Sequence, residues 1–326
     1  MELAGKRFVV VGGAGLIGSH VAEALLQEDV GEVVVYDNFV RGTRENLAAA
    51  LEDPRCSVFE PGGDIMQTDV LRSALEGADG VVHLAALWLL HCQDFPRAAF
   101  DVNIRGSFNV FEACVDAGVE RVVYSSSASV YGEAVEEPMT EDHPFGFENF
   151  YGATKVAGEA MLRSFHHRFG LDYAGLRYMN VYGPRQDYRG TYMAVIMRML
   201  DSIDRGEPVV VYGDGSQAYD FVHVADCAAA NICALRAATT NRFYNVGTGT
   251  RTSIGELAEL LLHITGSDVG VRYEPQGVSF VKNRIGAVER AREELGFAAH
   301  MPLEDGLRTL VEWRSAHKAE VEARRA

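Results

Sequence analysis

Dense apolar runs of about four residues recur along the first half of the chain, separated by longer amphipathic stretches. Phe8-Val9-Val10-Val11, Val33-Val34-Val35-Tyr36, Val81-Val82 and Val122-Val123 lead the series. Short β-branched runs bounded by glycine or polar residues read as buried strands. They are expected over 8–11, 33–36, 80–84, 121–124 and 173–176, with a weaker one at 58–60. Helices are expected between them over 16–27, 103–117 and 151–169, the last stopping at Gly170. Strands that alternate with helices of this length predict a parallel, doubly wound sheet. Beyond Arg177 the rhythm loosens. Helices are expected over 194–205, 224–236, 254–265 and 288–295, with strands at 209–212 and 243–246. The charged tail from Lys318 reads as frayed.

The first strand runs straight into Gly12-Gly13-Ala14-Gly15-Leu16-Ile17-Gly18, and a helix opens there. Gly12 permits a tight turn, Gly15 lets the backbone approach a pyrophosphate, and Gly18 lets helix and strand pack closely. The helix N-terminus then offers free N–H groups and partial positive charge to phosphates. Asp37 ends the next strand, 19 positions after Gly18. A carboxylate there accepts hydrogen bonds from ribose hydroxyls and repels a 2′-phosphate, so NAD is favoured over NADP. Arg41 and Arg44 follow closely and soften that exclusion. The fold class is therefore α/β, a Rossmann-type doubly wound parallel sheet with a smaller mixed α/β C-terminal substrate domain. Residues 1–177 are expected to form the dinucleotide-binding part, with a return segment near 220–250, and residues 178–326 a substrate-binding region.

Composition narrows the partners. Lys and Arg number 30 against 46 Asp and Glu, a formal charge of −16, which argues against nucleic acid or an anionic membrane. Cys56, Cys92, Cys114, Cys227 and Cys233 are scattered and odd in number, so neither a disulfide framework nor a zinc site is expected. The N-terminus lacks the pattern of a signal peptide and no apolar run reaches membrane-span length. A soluble cytoplasmic protein with free thiols and no metal is the expectation.

Tyr151 and Lys155 lie four apart on an expected helix and share one face. Ser125-Ser126-Ser127 follows an expected strand, at the sheet edge where ligands sit in such folds. Together with the glycine loop these features resemble the short-chain dehydrogenase/reductase superfamily, in its extended, sugar-nucleotide-modifying branch. Tyr36-Asp37-Asn38, His83-Leu84-Ala85-Ala86, Tyr151-Gly152-Ala153-Thr154-Lys155, Asn180-Val181-Tyr182-Gly183-Pro184, Asp220-Phe221-Val222-His223 and Tyr244-Asn245-Val246-Gly247 carry the resemblance in order along nearly the whole chain.

The resemblance implies Tyr151 as acid/base, Lys155 as its electrostatic partner and the holder of the nicotinamide ribose, and Ser127 as a hydrogen-bonding partner of the reacting sugar oxygen. A phenol of pKa about 10 must be lowered by roughly 3 units to act near neutrality, and two nearby cations favour the phenolate. The implied cofactor set is Gly12, Gly15, Leu16, Ile17, Gly18, Asp37, Asn38, Asp64, Ile65, Leu84, Ala85, Ala86, Asn103, Ser125, Tyr151, Lys155, Tyr178 and Val181. The implied nucleotide-sugar set is Trp88, Ser127, Ala128, Ser129, Tyr151, Asn180, Arg185, Arg189, Ala194, Val195, Val211, Tyr212, Tyr219 and Arg284. Helices over 103–117 and 151–169 resemble those that pair subunits in this branch, so a homodimer is expected.

Dehydratases of the branch carry an Asp-Glu pair after the catalytic hydroxyl residue, and decarboxylases carry a Glu two positions after it. This chain has Ala128 and Ser129 there. The segment resembles the UDP-hexose 4-epimerases, and epimerisation at C4 through a transient 4-keto sugar is the expected reaction. A nucleotide-sugar reductase, dehydrogenase or decarboxylase, and a non-catalytic NAD-binding sensor, are the alternatives. Two departures stand out. Tyr219 occupies the place of the arginine that clamps the pyrophosphate in the branch, with Arg189, Lys282 and Arg284 as candidate replacements. Leu87-Trp88-Leu89-Leu90-His91-Cys92 replaces a small, Ser/Val-rich stretch. His91-Cys92 reads as a packed loop, and Met193, Met197 and Met199 as core or pocket filling.

Overall fold

The computed structural model describes residues 1–186, 194–275 and 281–319. Arg189 and Met193 lie outside them. Seven parallel strands form the main sheet: β1 (Arg7–Val11), β2 (Glu32–Tyr36), β3 (Cys56–Val58), β4 (Gly80–His83), β5 (Arg121–Ser127), β6 (Tyr173–Tyr178) and a late strand, Arg242–Val246. Their order is late strand–β6–β5–β4–β1–β2–β3. The reversal between β4 and β2 opens a crevice above the C-terminal end of β1, the place where such sheets bind ligands. These strands are buried on both faces, as parallel sheets covered by helices must be.

Helices α1 (Leu16–Leu26), α2 (Thr68–Leu75), α3 (Leu89–Asp94), α4 (Pro96–Ala99), α5 (Ser107–Ala117) and α6 (Phe150–Phe169) follow the early strands. Two apolar clusters cover the two sheet faces. Val10, Val33, Val82 and Val123 lie in one; Val9, Val34, Val81 and Val122 lie in the other. Single-residue alternation thus sends neighbouring valines to opposite layers.

The later chain supplies α7 (Val195–Asp204), α8 (Val224–Arg236), α9 (Ile254–Thr265) and α10 (Leu303–Ala316). Small sheets accompany them: β7 (Asn180–Tyr182) pairs with Phe221–His223, and Val209–Tyr212 pairs with Val271–Glu274. A third core gathers Ile196, Leu200, Val211, Leu257, Leu261, Leu307 and Leu310.

Several boundaries differ from expectation. β5 extends through Ser127, so the serines sit within the strand. The stretch Phe100–Gly106 winds as a π-helix before α5. Of the helix expected over 288–295, Ala291–Leu295 is a π-type turn. α2, α3, α4 and α10 are absent from the sequence reading. The face that α10 buries runs through Leu307 and Leu310 to Arg314, which pairs with Asp201 and Asp204, so charge interrupts its apolar stripe.

Candidate active site

The crevice is a cavity of about 1020 Å³ whose walls include Gly12, Gly15, Leu16, Ile17, Gly18, Asp37, Asn38, Asp64, Ile65, Leu84, Ala85, Ala86, Trp88, Ser125, Tyr151 and Lys155. The three spaced glycines are not equivalent. Gly12 has φ +83°, and a Cβ there would lie 2.5 Å from the Ala85 nitrogen. A Cβ on Gly18 would lie 2.3 Å from the Gly12 carbonyl oxygen. Both are fixed by the protein's own packing. A Cβ on Gly15 would meet nothing closer than 3.4 Å, so its bareness leaves room in the cavity itself. Gly15 also caps α1 without any side-chain hydrogen bond, which leaves N–H groups of the first turn available to an anion.

Asp37 accepts hydrogen bonds from the Ala14 and Phe39 backbone N–H groups, at 2.9 and 2.8 Å. Burial nonetheless pushes its carboxyl above the usual range. Gly63 makes this arrangement possible, since a Cβ there would come within 2.0 Å of the Asp37 backbone. Asp64 is held by its own turn, accepting the Met66 N–H at 2.9 Å. Arg44 pairs with Glu60 on the surface. Arg41 lies over the Trp88 ring, 3.9 Å from its centroid.

Tyr151 and Lys155 occupy the first turns of α6, which Asn149 caps by accepting the Gly152 N–H at 2.8 Å. Lys155 is buried and donates to the Ser125 carbonyl at 2.6 Å, with its Nζ 5.5 Å from the Tyr151 ring centroid. Ser127 acts on the Tyr151 phenol in the lowering direction, and its Oγ accepts the Ser129 N–H at 3.1 Å. Ser126 points the other way, donating to Glu159 at 2.6 Å. Glu159 in turn holds Arg177 through two bonds of 2.8 and 2.7 Å. This buried pair ties the middle of α6 to β6 and so fixes Tyr151 against β5.

Burial dominates the electrostatics of the Tyr151–Lys155 pair. Burial, with Cys92 acting in the same direction, pushes the Tyr151 phenol up to about 12 against the lowering influence of Ser127, Arg41 and Arg284. Lys155 is not the group that acts on it most strongly. Burial brings Lys155 itself down to about 8, while Cys92 and Glu159 act in the raising direction. The protein alone therefore keeps the phenol protonated.

Other expected site residues are placed differently. The Asn103 side chain does not line the cavity; it binds the Leu87 N–H and carbonyl at 2.7 and 3.0 Å and reaches Thr154 at 3.1 Å. Tyr178 turns into the core and accepts from Asn231 at 2.8 Å. Val181 is tied into β7 and packs on the core below. Val211 is fully buried in the third core, so its side chain cannot line a ligand site. Ala128 and Ser129 are buried in the short turn after β5, against Gly152. Tyr219 donates to the Val281 carbonyl at 2.8 Å. Tyr212 is exposed and Val195 opens α7. Ala194 and Arg185 reach the cavity wall, with Arg185 bound to Glu23 at 2.5 Å.

Several buried side-chain polar atoms lack partners. Asn180 Nδ2, Arg284 Nε and Trp88 Nε1 have no hydrogen-bond acceptor. Buried polar groups are normally paired. Burial also lowers the Arg284 pKa, with Tyr219, Glu133 and Tyr151 acting against it. Sequence reading missed His20, Arg41, Gly42, Asn46, Met66, Trp313 and His317 as cavity walls. Trp313 and His317 come from α10 and its end, which carried no motif.

The glycine loop, the Asp37 cradle and the Ser127–Tyr151–Lys155 cluster define a dinucleotide-dependent site. Residues 8–247 match the model of the NAD dependent epimerase/dehydratase family. The chain belongs to that family, and NAD is its cofactor. UDP-glucose 4-epimerase of Corynebacterium glutamicum is 33% identical over 321 residues, covering 94% of each chain. UDP-N-acetylglucosamine 4-epimerase from Methanobrevibacter ruminantium, solved with UDP-N-acetylmuramic acid, has a TM-score of 0.91 at 34% identity, covering 97% of this chain and 100% of that one. The dTDP-glucose 4,6-dehydratase DesIV of Streptomyces venezuelae, solved with NAD, has a TM-score of 0.89 at 29% identity, covering 98% and 100%. Among the described residues, no helix is long and apolar enough to cross a membrane.

Proposed function

We propose that this protein is a nucleotide-sugar 4-epimerase acting on a UDP-hexose. One observation carries the choice over dehydration or decarboxylation. The positions where those reactions place carboxylates hold Ala128 and Ser129, both buried in a tight turn. Neither side chain can act as a carboxylic acid or base. The groups acting most strongly on Tyr151 are Cys92, Ser127, Arg41 and Arg284, none of them a carboxylate.

Gly12, Gly15, Gly18, Asp37, Asn38, Asp64 and Lys155 hold the cofactor. NAD, when bound, supplies a hydride acceptor that can return what it takes, together with a positive charge in the same cavity. Tyr151 takes the proton from the 4-hydroxyl and later gives it back. Ser127 holds that oxygen by a hydrogen bond. Lys155 favours the phenolate together with the positive charge that NAD would bring, a pKa change that the protein's own residues leave undone. Asn180 and Arg284 give their unpartnered donors to the sugar nucleotide, with Arg284 standing in for the arginine that Tyr219 replaces. Exposed Phe100, Phe108 and Phe169 on the π-helix, α5 and α6 support a homodimer through these helices.

The test is incubation with UDP-, dTDP- and GDP-sugars without added NAD, with the C4 epimer read by NMR. Conversion of a UDP-hexose supports the reading. No conversion of any, or full activity in Tyr151→Phe, overturns it.

A further inference from the structure

We infer that Arg41 and Trp88 form a clasp over the glycine loop that retards release of the bound dinucleotide. The inference rests on the cofactor's place in the cavity and is independent of the 4-epimerase reading. β2 and β4 are the two neighbours of β1 in the sheet. The loops that follow them rise on either side of the glycine loop. Each packs directly on it: a Cβ on Gly42 would lie 2.6 Å from the Ala14 backbone, and one on Gly12 would lie 2.5 Å from Ala85. Arg41 belongs to the first loop and Trp88 to the second. Their side chains meet with the guanidinium 3.9 Å from the indole centroid, and both line the cavity. A contact between these two loops spans the crevice in which the phosphates of a dinucleotide lie.

Both ends of the contact are anchored. Asn103 holds the Leu87 N–H and carbonyl and also bonds Thr154 on α6, so the Trp88 loop is tied to the catalytic helix. The indole packs on His91, 4.8 Å away, which packs on Phe95 at 4.9 Å. On the other side, the Thr43 N–H donates to the Ala14 carbonyl at 3.3 Å, and Asn46 donates to the same oxygen at 2.8 Å. A cation over an indole face is a favourable, partly desolvated contact. A cofactor leaving the crevice must part this contact.

Purified protein is loaded with NADH and chased with excess NAD, and the fall in bound-NADH fluorescence gives the release rate. Trp88→Leu and Arg41→Gln are each expected to release roughly fivefold faster, the size of one such contact. The double variant should release no faster than the single ones, because both remove the same contact. Trp88→Phe, which keeps a ring face, should stay within about twofold of the parent. Melting temperatures are recorded alongside. If Trp88→Leu does not fold, Arg41→Gln and Trp88→Phe carry the test. Unchanged release in Arg41→Gln, or single effects that multiply in the double variant, would overturn the clasp. Either result would leave the epimerase reading standing, since no sugar enters the experiment.

Discussion

The cofactor side and the proposed sugar side of the site are built by different means. The cofactor side is made of backbone: bare glycines, a helix N-terminus and a carboxylate held by two amide N–H groups. The proposed sugar side draws on side chains from distant segments, Asn180 and Arg284 among them, whose donors are left unpartnered. Backbone sites leave rigid spacing in the sequence because substitution breaks the fold or fills the site. Side-chain sites tolerate exchange, as Tyr219 in place of an arginine illustrates.

The largest break falls where the two sides meet. Tyr151→Phe keeps the ring but removes the proton carrier. Turnover should fall by about 10²- to 10⁴-fold, the usual worth of a positioned acid/base, while NAD content measured after denaturation stays unchanged. Loss of NAD together with activity would mean that Tyr151 acts through cofactor binding.

Glu159→Ala should cost about 3–5 kcal/mol of stability in chemical denaturation, because it leaves the Arg177 charge buried and unpaired. A loss under about 1 kcal/mol would show that α6 is fixed by other contacts.

Two glycine variants sharpen the distinction within the cofactor side. Gly18→Ala forces a Cβ against the Gly12 carbonyl and should destabilise the fold by about 1–3 kcal/mol. Gly15→Ala meets only ordinary contacts, so its melting temperature should hold while NAD affinity falls by about tenfold or more. Equal melting losses in both would contradict the division.

The pH dependence follows from burial. Lys155 titrates at about 8 in the folded protein against its usual 10.5. Between those values the unfolded chain carries the extra proton, so this group's contribution to stability rises with pH. Tyr151 runs the other way from 10 to about 12, where the folded state holds the extra proton. Lys155→Met should therefore be most favoured relative to the parent near neutral pH, with the melting-temperature difference shrinking toward about pH 10. A difference that grows over this range would contradict a lowered Lys155. Smallest of all, Arg44→Ala should change stability by less than about 0.5 kcal/mol and leave NAD binding alone, because its partner Glu60 is exposed.

The same contrast explains what the sequence discloses. The valine runs, Gly12–Gly18, Asp37 and the Tyr151/Lys155 spacing follow from rules of period and turn, and all of them converge on the cavity. Asn103 and Tyr178 belong to the cofactor set that the resemblance implies, yet their side chains brace loops and core, a role that spacing cannot separate from ligand contact. Gly63 is intelligible only once Asp37 lies 2.0 Å from where its Cβ would be. Trp313 and His317 reach the cavity from α10, whose apolar stripe is broken by the buried ion pair of Arg314. The Arg41–Trp88 contact joins residues 47 apart and has no local signal. Long-range side-chain meetings of this kind are set by packing and leave no periodicity behind.

The central claim is that the hydrogen removed from C4 returns to C4. UDP-glucose carrying deuterium at C4 tests it most directly. The account predicts a C4-epimeric product that keeps its deuterium at C4, with no cofactor added. Deuterium found at C6 of a 4-keto-6-deoxy sugar, or lost to solvent, would contradict it.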